Sequence, residues 1–576
     1  MTGKSISLDG SSFLMHEFNT LFGTATVTAV VSFIVLLADT FIVGHFVGST
    51  AVSAINIISP VISVSAFIGQ LTTIGISQIC ERLTGEFNRD GDNRVFGHGI
   101  IVASSVTLLM FIVISVFSDS YIEYMNLSDA VRTEVENYWK YEKFVVLLYP
   151  INFLLTEIVF VDGDDLLCNI SNTVRVLGNI FLSIILTGIM GTSGASLGSF
   201  IGTFLCTLIL CIHFFRKTCS FHPVFSFSFS TLKKAFSISI VDAMPCLCWG
   251  LLDFYLNKLI IDYFSETYIP ILSMITSILE ITILFDGVGE AMGPLAEIYM
   301  GEKNYAGEIR VADYGLKIAL VEGLLTFELM FILAPVLPPL YGVYDPDLSN
   351  EARAAIQIMS LSLPFDALLF FFTSQYKIVR HIKLASVITV FGQFISIILF
   401  SVALSKSVGI NGIWLSFVLG YAVTFVTFGL IVFLRKDLRF PWLCPIDECP
   451  YLNCSFILSR ENVITACKHF TELMNEYHVP YATQNLVNLV IEETGVLSFE
   501  NNIAAECVAE YTVRIETDSV TVITRDTCRL LDIMQTKGTL ENIQKFAVEK
   551  LMNSIDDKQY LASSSYNRSC YRIPYK

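Results

Sequence analysis

Gly85-Glu86-Phe87-Asn88 returns as Gly301-Glu302-Lys303-Asn304, 216 residues further along the chain. A second echo lies at nearly the same distance: Gly191, Gly194, Leu197 and Gly202 are matched by Gly409, Gly412, Leu415 and Gly420, an offset of 218. A third joins Asp39, in Leu37-Ala38-Asp39-Thr40-Phe41, to Asp253 in Leu252-Asp253-Phe254, 214 residues on. Each echo alone is weak, but three at near-constant offset mark a duplication. Residues 15–436 therefore read as two copies of one unit. Duplicated membrane units with a site at their interface are the architecture of secondary transporters.

The composition agrees. The 576 residues are 53% apolar and only 15% charged, against about 25% charged in a soluble domain. Mean hydropathy is +0.62. Apolar stretches fall near 21–45, 51–80, 95–117, 142–161, 174–190, 194–215, 235–262, 268–293, 311–341, 354–376, 384–405 and 412–434. Most exceed the ~20 residues that carry a helix across ~30 Å of hydrocarbon. The predicted fold is an all-α polytopic membrane protein with twelve transmembrane helices. They form two six-helix bundles, residues 1–220 and 221–440, followed by a linker at 441–450 and a small α+β domain at 451–576.

Lysine and arginine set the expected orientation. With the N-terminus inside, the inner loops hold 15 of them and the outer segments 5. Both termini are then expected on the cytoplasmic side of a plasma membrane. The first twenty residues lack the basic start, short apolar core and cleavage site of a signal peptide, so the first span reads as a retained helix. None of the 14 cysteines falls in an outer loop, so no extracellular disulfide framework is proposed. Cys444, Cys449 and Cys454 lack the paired spacing and histidines of a zinc site.

After Leu434 the chain turns polar. A strand at 451–459 precedes helical patterns at 460–477 and 481–499, two alternating strands at 510–516 and 519–524, a helix at 539–554 and a strand at 566–575. Thr517-Asp518 is the turn between the paired strands. Residues 447–576 hold 18 acidic and 12 basic side chains, which argues against nucleic acid as a partner.

Charges at bilayer depth cost about 3 kcal/mol or more, so they face a cavity, pair, or carry function. Asp39 is the sharpest case, set between Val35-Leu36-Leu37-Ala38 and Thr40-Phe41-Ile42-Val43. A carboxylate there is stable only when protonated or matched by a cation, which suits a proton or sodium coupling site.

Ala38-Asp39-Thr40-Phe41-Ile42-Val43-Gly44, Pro60 and the Gly85-Glu86-Phe87-Asn88 exit resemble the multidrug and toxic compound extrusion (MATE) family. So do Asn179-Ile-Phe-Leu-Ser183, Gly191-Thr-Ser-Gly-Ala-Ser-Leu, and Gly293-Pro294-Leu295 leading into Gly301-Glu302. The resemblance covers about residues 15–436. It implies a V of two bundles exporting organic compounds through a central cleft, coupled to a cation. Asp39 matches the family's span-1 aspartate and Asn179 its span-5 asparagine. Where the resembling branch has a further aspartate this chain has Ser183, and its span-6 threonine is Ser199. Fewer carboxylates suit Na+ less well, a hard cation that takes several oxygens, so proton coupling is slightly favoured.

The second bundle supplies Asp253, Glu280, Asp286 and Asp366 as candidates for a second cation path. Another branch of the family couples through a span-7 glutamate and a span-10 aspartate. Asp366 falls at the latter, while span 7 offers Asp242 or Asp253 and no glutamate. Phe370-Phe371-Phe372 is a candidate aromatic lining, since aromatic faces bind organic cations.

The tail resembles the anti-sigma-factor branch of histidine-kinase-type ATPase domains through Asn485-Leu-Val-Asn-Leu-Val-Ile-Glu492-Glu493 and Arg525-Asp526-Thr527-Cys528. That family's magnesium-binding asparagine is Leu497 here, its turn glycine is Cys528, and Gly538 stands without a glycine-rich lid. The expectation is a degenerate, nucleotide-free domain with a regulatory role and a cytoplasmic protein partner. The whole chain thus reads as a non-enzymatic antiporter for a small organic molecule, with H+ or Na+ as coupling ion and no cofactor. The alternatives are a lipid-linked precursor flippase and a membrane sensor signalling through the tail.

Overall fold

All twelve apolar stretches are helical in the structure, a computed structural model. It describes residues 3–85, 89–162, 164–216, 219, 221–302, 304–435, 438, 449–502, 506–529, 531, 533–535, 543–562 and 566–575. A short strand β1 (Gly3–Ser7) precedes the first repeat, which runs α1 (Phe13–Phe46), α2 (Ser49–Gly85), α3 (Arg89–Tyr124), α4 (Asp129–Val161), α5 (Asp165–Met190) and α6 (Thr192–His213). The second repeat opens with α7 (Phe229–Tyr263). Its next span is broken by a 3-10 turn at Glu280–Thr282 into α8 (Ile269–Leu279) and α9 (Ile283–Gly301). Then come α10 (Tyr305–Leu333), the short α11 (Leu337–Leu340), and α12 (Pro346–Ser360) with α13 (Leu363–Ile378) as one span. The last two spans are α14 (Ile382–Val390) continuing through a π-helical segment, Phe391–Ile395, into α15 (Ser396–Val408), and α16 (Asn411–Leu434).

Among the described residues, 10 helices or helix runs are long and apolar enough to cross a membrane. Helices α1 and α10 occupy the other two expected places. The apolar run of α10 also carries Lys317, Glu322 and Glu328. Local signals set several boundaries. Ser128 caps α4 by accepting from the Val131 amide, and Asp345 caps α12 ahead of Pro346, which needs no partner for a missing N–H.

The chain forms two compact units: residues 26–287 with 318–434, and residues 1–25 with 288–317 and 435–576. Within the first unit the duplication is visible atom by atom. Gly191 joins α5 to α6 at φ 62° and ψ −143°, and Gly409 joins α15 to α16 at φ 73° and ψ −148°. A side chain is strained at such positive φ. Three residues on, a Cβ on Gly194 would lie 2.1 Å from the Leu186 carbonyl oxygen, and one on Gly412 would lie 2.4 Å from that of Leu404. Leu186 and Leu404 are themselves 218 apart. Gly194, Gly198 and Gly202 form one stripe along α6, each pressed against α5. Lipid offers no hydrophobic force between helices, so close backbone approach over small residues is what holds such pairs.

The repeats also meet within this unit. On α2, Asn56 donates to Thr276 of α8 at 3.1 Å and its carbonyl accepts from Asn257 of α7 at 3.2 Å. A Cβ on Gly75 of α2 would lie 2.1 Å from the Ala235 carbonyl oxygen of α7. Prolines 60, 150, 245 and 294 lie inside α2, α4, α7 and α9, while Pro364 opens α13.

The second unit is built on a six-stranded sheet in the order β1-β2-β3-β4-β6-β5. Its strands are β2 (Tyr451–Ile457), β3 (Val508–Ile515), β4 (Ser519–Asp526), β5 (Asp557–Ala562) and β6 (Asn567–Pro574), with β1 paired parallel to β2 and the rest antiparallel. The helices are α17 (Arg460–Glu476), α18 (Tyr481–Glu500) and α19 (Ile543–Asn553). The strands at 451–459, 510–516, 519–524 and 566–575 and the helices at 460–477, 481–499 and 539–554 all form within a few residues of their expected ends. Strands β1 and β5 were not expected. β1 offers only a short alternation, Ser5-Ile6-Ser7-Leu8, whose Ile6 and Leu8 pack against the core of the sheet, and its strand partner β2 lies far along the chain.

Gly194→Ala and Gly412→Ala are each expected to lower stability by about 1–3 kcal/mol, the usual range for overpacking. Gly178→Ala, with nothing within 4 Å of a built Cβ, should change it by no more than about 0.5 kcal/mol. Thermal melting of the detergent-solubilised protein compares the three.

Candidate functional site

Three of the four first-bundle candidates converge. On α5, Ser183 Oγ donates to Asn179 Oδ1 at 2.8 Å, and Ser199 Oγ of α6 donates to the same oxygen at 3.3 Å. Ser183 also reaches the Ala195 carbonyl at 3.3 Å. The glycine stripe makes this possible: a Cβ on Gly198 would lie 2.6 Å from Ser183 Oγ. The backbone of Asp39 is within α1, and its side chain lies outside the described residues.

The second-bundle acids fall into two groups. Asp253 on α7 is buried at 4% exposure, and Ser59 of α2 donates to its Oδ2 at 2.7 Å. Its Oδ1 accepts no hydrogen bond from any described residue. Glu280, in the 3-10 turn, lies within electrostatic reach of Asp253, so the turn that breaks the span sets two carboxylates near one another. The second group is Asp286 of α9, Asp366 of α13 and Glu322 of α10. Asp286 interacts electrostatically with both of the others. Asp366 is 1% exposed beside Tyr421 of α16. Neither Asp366 Oδ2 nor Glu322 Oε2 has a hydrogen-bond partner among the described residues. Glu322 was not singled out from the sequence, although an acid in Ala319-Leu-Val-Glu322-Gly-Leu-Leu carries the same signal as Asp39.

The aromatic run at 370–372 is packed. Phe370 meets Phe285 at 6.1 Å, Phe371 is 4% exposed, and Phe372 lies against Phe425 and Phe428.

In the second unit, the two faces of the sheet divide the labour. Leu452, Cys454, Phe456, Ala509, Tyr511, Val513, Val520, Val522 and Tyr571 form the apolar core together with α17, α18 and α19. The alternate residues Glu510 and Arg525, directly paired between β3 and β4, point the other way and are nonetheless buried at 1% each. Onto them sits the echo motif: Arg525 pairs with Glu302 and, at 2.7 Å, with Glu510. Arg568 holds the other Glu302 oxygen at 2.6 Å, and the Arg514 guanidinium donates to the Glu302 carbonyl. Tyr299 of α9 donates to Glu510 at 2.7 Å with its ring 4.8 Å beneath Arg525. Burial acts to lower the Arg525 pKa, but Glu302, Tyr299 and Glu510 outweigh it and drive it up. The start of α1 joins the same face, where the Phe13 amide donates to Ser455 at 2.7 Å and the Phe13 ring meets Tyr566 at 5.3 Å. Nothing in the sequence announces this cluster beyond the recurrence of Gly-Glu-x-Asn.

Asp526 lies on the opposite, helix-covered face. Its Oδ1 accepts from Asn567 at 2.9 Å and from the Cys528 amide at 3.2 Å, and its Oδ2 from Ser498 of α18 at 3.4 Å. Leu497 and Cys528 are part of the apolar core beside it. Burial raises the Asp526 carboxyl above its ordinary 3.8, against the opposing hydrogen bonds.

A family model described as MatE matches residues 25–185 and 247–402, one segment in each repeat and together more than half of the chain. The chain belongs to the MatE family. Its fold is that of the MATE transporters of known structure. An inward-facing multidrug resistance MATE transporter of the MOP superfamily superposes with a TM-score of 0.64 at 18% identity, covering 70% of this chain and 94% of that one. An outward-facing one gives 0.58 at 18%, covering 73% and 95%. A MOP-superfamily transporter from Pyrococcus furiosus, whose structure is described as having a binding pocket of reverse polarity, gives 0.60 at 18%, covering 75% and 99%. No curated protein sequence matches the chain. It is accordingly a multi-pass membrane protein of a transporter family.

Glu302→Gln leaves Arg525 buried with half its partners, so a loss of about 3–5 kcal/mol is expected. Arg525→Met also strips Glu510 of its cation, so the double variant should be less stable than Glu302→Gln yet lose less than the sum of the two single losses, a coupling that a double-mutant cycle on thermal unfolding measures. The raised Asp526 pKa contributes stability below pH ~3.8 that is lost as pH rises through the folded value. Asp526→Asn, neutral at every pH, should therefore exceed wild type in melting temperature at pH 7 and match it near pH 3.5. A variant less stable at pH 7 would show the carboxylate to be ionised and needed.

Proposed function

We propose that this chain is a cation-coupled antiporter of the plasma membrane. It exports organic compounds, cationic or amphipathic, by alternating access, with residues 451–576 regulating the cycle. The observation that carries the transport half is the set of acids in the membrane unit. Asp253 Oδ1, Glu322 Oε2 and Asp366 Oδ2 are buried and accept nothing from the described residues. An ionised carboxylate so placed is costly unless a proton, a metal ion or an organic cation joins it, which is what a coupling or substrate site requires. The Asn179, Ser183 and Ser199 oxygens supply a neutral polar group on α5 and α6. The family resemblance assigns Asp39 to the same group, and a single carboxylate favours a proton over Na+.

A flippase for a pyrophosphate-linked lipid calls for free cations in the spans. Lys258 instead pairs with Asp262 at 2.8 Å and donates to the Tyr124 carbonyl at 2.9 Å.

The regulatory half rests on what the tail holds. Its sheet is extended by β1, which leads directly into the first span. Its polar face grips Tyr299 and Glu302, where the eighth span turns into the ninth. Chain continuity with the first span through β1 and bonding to Tyr299 and Glu302 of the second repeat support a role for the domain in biasing a cycle in which the repeats move.

The test is efflux of a fluorescent organic cation from liposomes under an imposed pH or sodium gradient. Asp39→Asn should lose gradient-driven efflux while remaining folded; full efflux in that variant removes Asp39 from the mechanism. In the same assay, Glu302→Gln should alter turnover and keep the gradient dependence. Wild-type turnover in a variant whose tail contact is weakened would remove the regulatory role.

A further inference from the structure

We infer that Asp162, His213 and Cys219 form a binding site for a divalent d-block cation of the zinc class. The site lies where α4 turns into α5 and α6 ends. No part of the coupling chemistry proposed above uses it.

The three side chains are brought together by separate elements. Asp162 is the residue that closes α4, Asp164 lies at the start of α5, and His213 is the last residue of α6. Cys219 belongs to the connection that leads from the first repeat to the second. The candidate ligand atoms of Asp162, His213 and Cys219 all lie within 4.8 Å of one another. His213 Nε2 is 2.8 Å from Asp162 Oδ2. The three are sheltered: side-chain exposure is 2% for His213 and 5% for Asp162, and Cys219 is 7% exposed. Cys219 packs in an apolar cluster with Phe96, Phe221 and Ile158.

Two readings of this group compete. In the first, His213 is an imidazolium held between two carboxylates. That accounts for Asp162 and Asp164 but gives no part in the ion pair to the Cys219 thiol, which donates to the Phe221 carbonyl at 3.3 Å. In the second, an imidazole nitrogen, a carboxylate oxygen and a thiolate sulfur converge on one point, the mixed donor set that suits Zn2+. The arrangement beyond the ligands favours the second reading. The other ring nitrogen, Nδ1, is held at 3.0 Å by Asp164 Oδ2, and Arg216 anchors that same oxygen at 2.6 Å. A carboxylate on the far nitrogen of a metal-binding histidine fixes its tautomer and its direction. Asp164 is thus a positioning residue, with Nε2 left to face the metal.

On binding, the metal takes the neutral imidazole, the thiolate and the carboxylate. The protons of the Cys219 thiol and of any imidazolium pass to solvent, and the fourth tetrahedral position remains for water or a further ligand. The bound ion would tie the α4–α5 turn to the end of α6 and to the inter-repeat connection, bracing one end of the first bundle.

The experiment uses the full-length protein in detergent, stripped with chelator and titrated with Co2+ alone, with Zn2+ as competitor. One equivalent of Co2+ should bind with a thiolate-to-cobalt charge-transfer band, and Zn2+ should displace it. Cys219→Ser should abolish the band. Asp164→Asn keeps all three ligands and should weaken binding by roughly 10–100-fold with the band retained, so the inference stays testable even if Cys219→Ser does not fold. Failure of wild type to bind stoichiometrically, survival of the band in Cys219→Ser, or unchanged affinity in Asp164→Asn would each overturn it.

Discussion

Hydrocarbon has no hydrogen bonds to give, and most of this chain follows from that. Every span must satisfy its own backbone, which restricts the membrane unit to helices. The same condition removes the hydrophobic force that would press those helices together, leaving contact between backbones as the means of association. The glycines at 194 and 412 show the result, each lying against a carbonyl of the preceding helix in the same geometry. Both hairpins fold alike because the same residue is missing its side chain at the same place. Ordinary residues there would force α5 from α6 and α15 from α16.

Polar groups in such an environment are few and placed. Asn179, Ser183 and Ser199 satisfy one another across the α5–α6 contact that the glycines permit. Asp253, Glu322 and Asp366 leave oxygens without a hydrogen-bond partner among the described residues. Buried oxygens of the second kind are where a cation or substrate is expected to act in a transporter family. The tail unit meets the same condition without a membrane. Glu302, Glu510 and Arg525 are as buried as any membrane acid, yet their charges are matched within the cluster.

How far the sequence could be read depended on the range of the signal. The twelve spans are local, since twenty apolar residues have few other fates. The tail strands and helices were legible because their period changes from two to three or four at each boundary. Strand β1 was not, because Ile6 and Leu8 make too short an alternation to stand out and the partner strand β2 begins only at Tyr451. The grouping of Asn179 with Ser183 and Ser199 followed from helical spacing and the resemblance to a known family. The partnership of Glu302 with Arg525 lies 223 residues apart, and neither residue carries a mark that names the other. The junction of Asp162, His213 and Cys219 was missed for the same reason.

The sequence by itself determined the membrane helices, their duplication, the α+β character of the tail and most of the candidate acids. These depend on composition and on periods a few residues long, which the chain carries wherever it is. Only the tertiary structure decided which acids remain unmatched, which face of the tail sheet is buried, and what stands against the second repeat's Gly-Glu-x-Asn. Those outcomes depend on which surfaces meet after the helices have formed. Burial and pairing belong to the pair of surfaces, and neither segment alone contains them.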